Sequence, residues 1–517
     1  MFQNIARYGT FPLGMKKLVL LFALLTVALF SCRKEVPVAT EGVQLKFSKE
    51  TIRLDTVFRT VGSSTYRLVV RNPKDENVII DNISLDVDPG CISLNVNGIA
   101  SNSISDVEIL ANDSIHIFIK TTQTLKCRDA SQPDTISRPN HFTHTDFISF
   151  TNKDVKQTVK LITIVRDAYF HFPDKFIQIG GTTIPYSIIA PENQSVTLPN
   201  DKPHVVYGYA VADESSTLNI PGGTELYFHQ GAGLWVFEGA TLKVAEGAVS
   251  GIGDSVTFTA DRLEPFYEDA PGQWGGALGG IFLQGKSGNH IINNAVIKNA
   301  TIGLQLDSNT SSLTTLSNSY IMNCSRVGIY GGFGNLQAEN VVVANSGLYC
   351  FYAFGGSYTF TNCTFANYWQ GSTRSSGAVT LSNYLELVDE NNRPYRIVRE
   401  LNKADFYNCI IAGNNQEELS ILEDEGKPLN YFLQYCMIDV FSDPEDRLYD
   451  VNDPLHFQNI LLNKDPDFVN TEKNIYALDS LSQATNQGSI SNQTAIDIIG
   501  YPRLDGQPDL GAYERKY

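Results

Sequence analysis

The sequence predicts an all-β fold in which a parallel β-helix, a solenoid of stacked coils of short strands, makes up most of the chain. A motif of the form apolar-x-Asn-small-x-apolar-x-Asn recurs in the second half of the chain. Each copy alternates apolar and polar residues but is too short to bury its apolar face alone, so the copies must stack. At ~3.3 Å per residue, one step of about 22 residues allows about three short strands and their corners. The first Asn returns at steps of 24, 22, 22 and 46 residues, at Asn294, Asn318, Asn340, Asn362 and Asn408.

Columns of equivalent residues support the stacking. Asn suits a corner between strands, because it tolerates the left-handed backbone region and hydrogen-bonds nearby backbone. A second Asn column follows five residues after the first, at Asn299, Asn323, Asn345 and Asn367. The residue after the first Asn is small or weakly polar, which predicts a cramped inward position, in the column Ala295, Ser319, Val341, Cys363, Cys409 and Cys436. The 46-residue step predicts an excursion or an irregular extra coil over residues 371–403.

Further segments extend the pattern in both directions. Residues 217–224, 239–244 and 272–276 lie upstream, and Pro-Asp-Leu-Gly-Ala-Tyr-Glu at 508–514 lies near the end. Together with the repeats, they resemble the right-handed parallel β-helix lipoproteins common in the Bacteroidota. The resemblance implies a right-handed β-helix over residues 201–440. It says little about activity, because this fold hosts lyases, hydrolases, adhesins and proteins without known chemistry.

The start of the chain has the pattern of a bacterial lipoprotein signal. Two lysines at 16 and 17 precede an apolar run over residues 18–30 that is short for a transmembrane span. Leu-Phe-Ser-Cys at 29–32 resembles the lipobox, at which cleavage precedes a lipidated Cys. We therefore expect a signal peptide over residues 1–31, lipidation of Cys32 and a tether over residues 32–44.

The lipid on Cys32 is the expected membrane contact, since several acyl chains anchor a protein stably. Residue 33 is Arg, whereas the inner-membrane retention signal carries Asp there, so the resemblance favours the outer membrane. Surface and periplasmic faces stay open. Whether the chain starts at Met1 or Met15 is also open, because residues 1–14 do not resemble a charged leader.

Outside the β-helix, the sequence predicts a second domain, a connection and a closing segment. Residues 45–167 contain alternating strands separated by turns, which favours an Ig-like β-sandwich. Residues 168–200 are expected to be a linker. Residues 441–517 are expected to cap the β-helix, because an open coil exposes strand edges. In that cap, Gly511 would permit a turn and Tyr513 would cover the last coil.

The net charge excludes one class of partner. It is −17, and removal of residues 1–31 takes away three basic residues and no acid, which gives −20. A chain this acidic is a poor partner for nucleic acid or for an anionic membrane surface. It would also repel polyanionic glycans unless calcium or a basic groove intervened. We expect a monomer without a cofactor, Ca²⁺ being the one ion kept open.

The cysteine count indicates at least one unpaired thiol. The chain has eight cysteines, and seven remain once the lipidated one is set aside. Cys363, Cys409 and Cys436 are expected to be stacked interior thiols that act as small apolar residues. Cys91 and Cys127 could pair with each other, which the sequence alone leaves open.

A search for catalytic constellations identifies no catalytic residue. Asp307 and Arg326 could approach each other on adjacent coils, and a solvated ion pair explains them better than a lyase site. No paired carboxylates occupy a repeat strand, as a glycosidase would need. His144 and Asp146 share one strand face but lack a third metal ligand. The acidic loop over residues 446–453 matches no calcium-loop spacing, which favours a solvated loop.

Aromatic residues give the strongest functional indication. Tyr330 and Tyr352 both lie seven residues after the second Asn column, so we expect them to stack on adjacent coils. Exposed flat side chains on a rigid ladder can hold sugar rings. Tyr330, Tyr352, Trp369 and Arg326 are therefore candidate ligand-binding residues. The alternative is that these rings fill the coil interior or its corners.

The sequence thus favours a cell-envelope lipoprotein that binds glycan or an envelope partner without catalysis. One alternative is a carbohydrate-active enzyme, most plausibly a polysaccharide lyase and otherwise a glycoside hydrolase. The other is a purely structural or adhesive stalk. A lyase would show calcium-dependent cleavage of uronic-acid polymers, and a stalk would bind no soluble ligand.

Overall fold

The computed structural model describes residues 36–58, 61–86, 90–122, 141–249, 255–308, 310–503 and 506–515. The predicted signal peptide, Cys32 and Cys127 lie outside these residues, so the expectations about them stay predictions. The described residues form two units: those within residues 1–54, 62–128 and 143–163 make up the first, and the others make up the second. No helix in this part of the chain is long and apolar enough to cross a membrane.

The first unit has two five-stranded sheets around a shared apolar core, where the sequence predicts a sandwich. Alternate side chains of a strand enter this core, as Ile115, Ile117 and Ile119 do. Cys91 of this unit is disulfide-bonded. The sheets have the orders β1-β3-β8-β5-β6 and β2-β10-β9-β4-β7, with strands β1 (Lys46–Phe47), β2 (Thr51–Phe58), β3 (Tyr66–Arg71), β4 (Val78–Leu85), β5 (Ile92–Val96), β6 (Ile99–Ala100), β7 (Ser103–Ile109), β8 (Ser114–Thr121), β9 (His141–Asn152) and β10 (Val155–Arg166).

The second unit is a parallel β-helix followed by a C-terminal segment. Its strands are β11 (Tyr169–His171), β12 (Lys175–Ile179), β13 (Thr182–Ala190), β14 (Ser195–Thr197), β15 (His204–Val206), β16 (Tyr209–Ala212), β17 (Thr217–Ile220), β18 (Glu225–Phe228), β19 (Gly233–Val236), β20 (Thr241–Val244), β21 (Val256–Ala260), β22 (Ile281–Leu283), β23 (His290–Asn293), β24 (Ala295–Lys298), β25 (Ile302–Asp307), β26 (Thr314–Cys324), β27 (Val327–Gly332), β28 (Asn335–Ser346), β29 (Tyr349–Phe354), β30 (Gly356–Thr361), β31 (Thr364–Asn367), β32 (Val379–Ser382), β33 (Tyr384–Val388), β34 (Pro394–Val398), β35 (Leu401–Tyr407), β36 (Ile410–Gly413), β37 (Leu419–Leu422), β38 (Phe432–Gln434), β39 (Met437–Ile438), β40 (Phe457–Gln458), β41 (Leu461–Leu462), β42 (Phe468–Asn470) and β43 (Ile475–Leu478). Three short 3-10 helices lie at Pro265–Tyr267, Thr471–Lys473 and Ile490–Asn492.

Each full coil contributes one strand to each of three faces. The first face contains β14, β17, β20, β23, the first halves of β26 and β28, then β30, β35, β38 and β40. The second face contains β11, β15, β18, β21, β24, the second halves of β26 and β28, then β31, β36, β39 and β41. The third face contains β13, β16, β19, β22, β25, β27, β29, β32 and β37. Because β26 and β28 turn the corner without a break, the first two faces form one 19-stranded sheet.

The recurring Asn occupies the corner between the first and second faces, as predicted. Its φ lies between +47° and +53° at Asn294, Asn318, Asn340, Asn362 and Asn408, which is the left-handed region that Asn tolerates. Asn340 Nδ2 donates to Asn318 Oδ1 at 3.2 Å, so a hydrogen bond between side-chain amides, running along the axis, joins these two neighbouring coils. Farther along the axis, the corner amides bind the C-terminal segment instead.

The cramped column that follows this Asn points inward, also as predicted. All of its members are completely buried, and Cys363, Cys409 and Cys436 are free thiols. Burial is the main cause that raises the pKa of the Cys409 thiol, and its two stacked neighbours add to the effect. These cysteines therefore serve as small apolar residues of the coil interior.

The β-helix is longer than predicted at both ends. The predicted linker over residues 168–200 contains β11 to β14, of which β14, β11 and β13 begin the first, second and third faces, and β40 and β41 add a coil within the predicted cap. The first coils lack the Asn motif, which is why the repeat did not reveal them. The last coil has a corner Asn, Asn459 at φ +54°, but its next Asn, Asn463, follows after four residues where the motif has five. The 46-residue step is one coil, enlarged by the antiparallel hairpin of β33 and β34.

The C-terminal segment, residues 468–503 and 506–515, lies along the outer surface of the second face. Its apolar residues Tyr476, Ile498 and Ala512 pack on outward residues of several coils, among them Val342 and Ala366. Leu478, Ala484 and Leu510 cover the adjoining apolar group Ile410, Ala412 and Met437. The segment thus buries a strip of β-helix surface that would otherwise be an exposed apolar patch.

The predicted placing of Tyr513 over the last coil is wrong. The Tyr513 hydroxyl donates to the Tyr320 hydroxyl at 3.2 Å, on a coil in the middle of the β-helix. The Arg503 guanidinium, with no exposed surface, donates to Glu514 Oε2 at 2.7 Å and to the Gly511 carbonyl at 3.0 Å. A buried cation that satisfies both backbone and carboxylate fixes this turn against the second face, away from the end of the solenoid.

Candidate functional site

Tyr330 and Tyr352 stack on adjacent coils of the third face, as predicted. They are register partners of β27 and β29, and their rings lie 5.7 Å apart at an interplanar angle of 8°. Trp235 and Phe282, themselves partners, occupy equivalent outward positions upstream, and Gln305 pairs with Tyr330. The third face therefore carries an outward column rich in aromatic side chains.

This column offers little open ring surface. Leu385 and Ile397, from the hairpin of β33 and β34, pack against the cluster that contains Tyr330 and Tyr352. Tyr352 is 8% exposed, and burial raises the pKa of its hydroxyl to about 12. Because the two rings face each other and the hairpin lies against them, they are largely covered, although they lie on the outer side of the third face and not in the coil interior or at its corners.

Asp307 and Arg326 do not approach each other, in contrast to the prediction. Asp307, at the end of β25, is the register partner of Gly332, whereas the backbone N–H of Arg326 binds the Thr301 carbonyl at 3.0 Å. The two side chains therefore start from opposite ends of neighbouring strands, about 20 Å apart at ~3.3 Å per residue. Arg326 is exposed at the corner before the third face.

Trp369 also lies apart from the tyrosine column. It follows the second face, and its indole N–H donates to Ser372 Oγ at 3.0 Å. Its backbone carbonyl accepts from Asn414 Nδ2 at 3.1 Å, which ties it to the next coil. Of the four candidate ligand-binding residues, the structure thus brings only Tyr330 and Tyr352 together.

A cleft that the sequence reasoning missed lies where strands of the second face end. We call it the acidic cleft; its volume is about 480 Å³, within the range of small-ligand sites. Successive coils contribute the residues that directly follow β31, β36, β39 and β41. Its lining is Tyr368, Gly413, Asn415, Gln416, Glu417, Asp439, Val440, Phe441, Asn463, Lys464, Asp465 and Pro466.

The floor beside the cleft is fixed by a buried ion pair. Arg374 and Glu418 have side chains 3% and 0% exposed, and two guanidinium nitrogens reach the two carboxylate oxygens at 2.5 and 2.7 Å. The backbone N–H groups of Ala378 and Asn415 also donate to Glu418, each at 2.8 Å. The Glu418 charge is therefore fully compensated where it is desolvated.

Asp439 lies in the same region without such compensation. Burial raises its pKa to about 6, and the charges of Glu418 and Asp465 act in the same direction, against a hydrogen bond from the Gly413 backbone. The neighbouring Val440 N–H donates to Asn463 Oδ1 at 2.9 Å, which holds the next coil in place. The cleft thus contains one carboxyl group that changes protonation near pH 6.

The rim of the cleft is aromatic and amide-rich. Phe441 is 69% exposed, and Tyr368 lines the same space. Gln416, Asn463 and Lys464 are exposed around it. Flat apolar rings beside hydrogen-bonding amides and carboxylates can contact a sugar through both its C–H face and its hydroxyls.

The sequence carried one signal for this cleft. Asp439 directly follows the repeat copy that ends at Ile438, at an outward position that Ala412 occupies one coil earlier, since Ile411 pairs with Ile438. Asp465 comes from the next coil, 26 residues later. A search for paired carboxylates on one strand therefore could not bring them together.

Two groups of residues are candidate metal ligands from the sequence: His144 with Asp146, and the acidic loop over residues 446–453. Within the described residues, no group of three or more His, Cys, Asp and Glu side chains could hold a metal ion. In the loop over residues 446–453, Asp446, Asp450 and Asp453 instead accept backbone N–H groups two residues ahead at 2.9 to 3.0 Å. Local turns therefore explain the acidic spacing there.

Comparison with known proteins bears on the fold. Residues 204–365 match the family model described as "Right handed beta helix region". No curated protein matches the chain. Among solved structures, pectate lyase Pel9A is 13% identical over 68% of this chain and 88% of that one, with a TM-score of 0.26. The catalytic domain of a GH87 α-1,3-glucanase in complex with nigerose is 10% identical over 76% and 98%, with a TM-score of 0.14.

A further match is a family 123 glycoside hydrolase from Clostridium perfringens, 8% identical over 25% of this chain, with a TM-score of 0.17. The match spans 31% of the length of that enzyme. With scores this low, none of these likenesses carries an argument about activity. The strand ladders and the family match together identify the second unit as a right-handed parallel β-helix.

Proposed function

We propose that this protein binds a neutral glycan in the acidic cleft. The observation that carries the proposal is the exposed Phe441 ring at the rim of a cleft lined with amides and carboxylates. An exposed aromatic ring beside convergent amide and carboxylate side chains can make a face contact with a ligand. A sugar ring supplies that contact, and its hydroxyl groups pair with the Gln416 and Asn463 amides and with the carboxylates.

The charge of the cleft selects against acidic polymers. Asp439, Asp465 and Glu417 line it together with the single cation Lys464. Like charges at close range weaken binding, so a polyuronate is a poor ligand here. This disfavours the polysaccharide-lyase alternative and favours neutral sugars.

We also propose that the protein works at the outer membrane, held by lipid on Cys32. The lipobox pattern at 29–32 and Arg33 support this location. Cys32→Ser should release the protein from the membrane fraction into the soluble extract. Retention of this variant in the membrane fraction would contradict a lipid anchor at this residue.

Glycan binding is tested with the chain from residue 33 onward and a fixed set of polymers. Dextran, laminarin, mannan and arabinoxylan are the neutral probes, and polygalacturonate is the acidic one. We expect one or more neutral polymers to bind, with affinity that falls about 3- to 10-fold in Phe441→Ala, the loss expected for one aromatic contact.

Phe176→Ala is the matched control, because Phe176 is 67% exposed and lies on β12, outside the cleft. It should leave the affinity unchanged. Binding of polygalacturonate alone would overturn the proposal in favour of a site for acidic polymers. Failure of all five polymers to bind would also overturn the proposal and would favour the alternative of a purely structural or adhesive stalk.

A further inference from the structure

The acidic cleft holds two carboxyl groups with different surroundings. Asp439 is partly buried beside the compensated Glu418, whereas Asp465 is exposed on the following coil. Both line one space of about 480 Å³ together with Tyr368 and Phe441. Two carboxyl groups with unequal environments that line one cleft are the groups with which acid–base cleavage of a glycosidic bond can be carried out.

We propose that the acidic cleft hydrolyses the glycan it binds, with Asp439 as proton donor and Asp465 as proton acceptor. This inference rests on the proposed function, since it assigns chemistry to the same site. It names the substrate as a neutral polysaccharide and the reaction as hydrolysis. Elimination is not suited to this cleft, because it acts on uronates, which the local charge repels.

The step balances without a cofactor. The Asp439 carboxyl proton passes to the glycosidic oxygen as the bond from that oxygen to the anomeric carbon breaks. Water forms a new bond to the anomeric carbon, and one of its protons passes to the Asp465 carboxylate. The products are two shorter glycans, one with a new reducing end, and solvent returns the proton from Asp465 to Asp439.

The groups around Asp439 support its role as the donor. From the preceding coil, the Gly413 N–H and Glu418, whose charge Arg374 balances, act on it, and Glu417 lines the same cleft. From the following coil, Asp465 acts on it, and Lys464 lines the same cleft. Tyr368, whose own pKa burial raises, lines the same wall. Burial and the surrounding negative charge together raise the pKa of Asp439 to about 6, so part of the population is protonated in mildly acidic solution.

The test measures the rate at which new reducing ends form from each neutral polymer that binds. We expect Asp439→Asn to lower the rate by about 10²- to 10⁴-fold, the usual contribution of a positioned acid, while binding is kept. The wild-type rate should fall about tenfold per pH unit above about pH 6. Asp465→Asn should also lower the rate, and Asp174→Asn, an exposed carboxylate outside the cleft, should not.

The possible outcomes separate the two proposals. Binding of a neutral polymer without new reducing ends overturns hydrolysis and leaves the binding proposal intact. Cleavage that persists in Asp439→Asn with an unchanged pH profile overturns the assignment of the donor. Thermal denaturation of each variant, compared with the wild type, shows whether a lost rate reflects lost folding.

Discussion

The second face of the β-helix has a covered stretch and an open end, and their outward residues differ accordingly. At one outward position, successive coils carry Met322, Ala344, Ala366 and Ala412 where the C-terminal segment lies on the face. The next coils carry Asp439 and Asn463, which line the acidic cleft. Since the backbone position is the same in every coil, the type of side chain there indicates whether another part of the chain covers that position. An apolar outward residue marks contact within the chain, and a polar one marks a surface left for solvent or ligand.

The largest expected effect comes from the anchor of the covering segment. Arg503→Met should lower the free energy of unfolding by ~3–5 kcal/mol, because it leaves the buried Glu514 carboxylate without its cation. Denaturant titration measures the loss. Arg393→Met, at an exposed position of the hairpin, should change stability by less than ~0.5 kcal/mol. Equal effects of the two substitutions would show that the segment does not depend on this ion pair.

A charge placed in the covered stretch tests the comparison directly. Ala366→Asp should destabilise the protein by ~3 kcal/mol, because the carboxylate would be buried without a partner beneath the C-terminal segment. Ala366→Ser controls for the added volume. The reverse change, Asp439→Ala at the open end, should be neutral or slightly stabilising. If Ala366→Asp were as stable as the wild type, the segment would not cover this position in solution.

The open end should make stability depend on pH by ~1–2 kcal/mol. The pKa of Asp439 rises from its ordinary value of 3.8 to about 6, so the folded state binds more protons than the unfolded state between these pH values. The free energy of unfolding therefore falls as pH rises from about 4 to about 6. The side chain is partly exposed, and solvent screening reduces the ~3 kcal/mol that about two pKa units would otherwise represent.

Asp439→Asn should remove this part of the slope. Denaturant titrations at pH 4.5 and 6.5 measure the difference between the variant and the wild type. Both proteins also have a second contribution of the same sign from Glu514, whose pKa is raised to about 7 by burial and by Asp509. Only the difference between the two proteins therefore isolates Asp439, and parallel slopes would refute the raised pKa.

The smallest effect concerns the tyrosine column of the third face. Tyr330→Leu should cost ~0.5–1.5 kcal/mol of stability through the lost stacking on Tyr352, with no change in glycan affinity. Paired denaturation and binding measurements on this variant separate packing from recognition. A loss of affinity comparable to that of Phe441→Ala would move the binding surface to the third face.

Much of the β-helix could be predicted because its repeat has a backbone cause. Asn294 and its equivalents adopt a left-handed corner conformation that few other residues tolerate, so they recur at the coil length. The inward column of Cys363 and Cys409 was predictable for a similar reason, since a confined interior position accepts only small side chains. The first coils have no Asn at this corner and escaped detection, whereas the last coil has Asn459 there.

The acidic cleft could not be predicted in the same way. Asp439 and Asp465 come together only through the stacking register of two coils, and that register cannot be derived from the local sequence. For the tyrosine column, the sequence predicted the positions of the rings but not their exposure. The spacing correctly placed Tyr330 beside Tyr352, but only the structure brought the β33–β34 hairpin against them, and that contact decides whether the rings are open.

The path of the C-terminal segment also has a consequence for how this protein unfolds. In a solenoid each coil touches only its neighbours, so coils can fray one after another from either end. Here a single stretch of chain bridges coils that are not neighbours, from Tyr320 to Met437. Loss of one coil would therefore loosen several others at once. We expect the central coils to open as one cooperative block, with amide hydrogens that exchange together, while the upstream coils exchange earlier and independently.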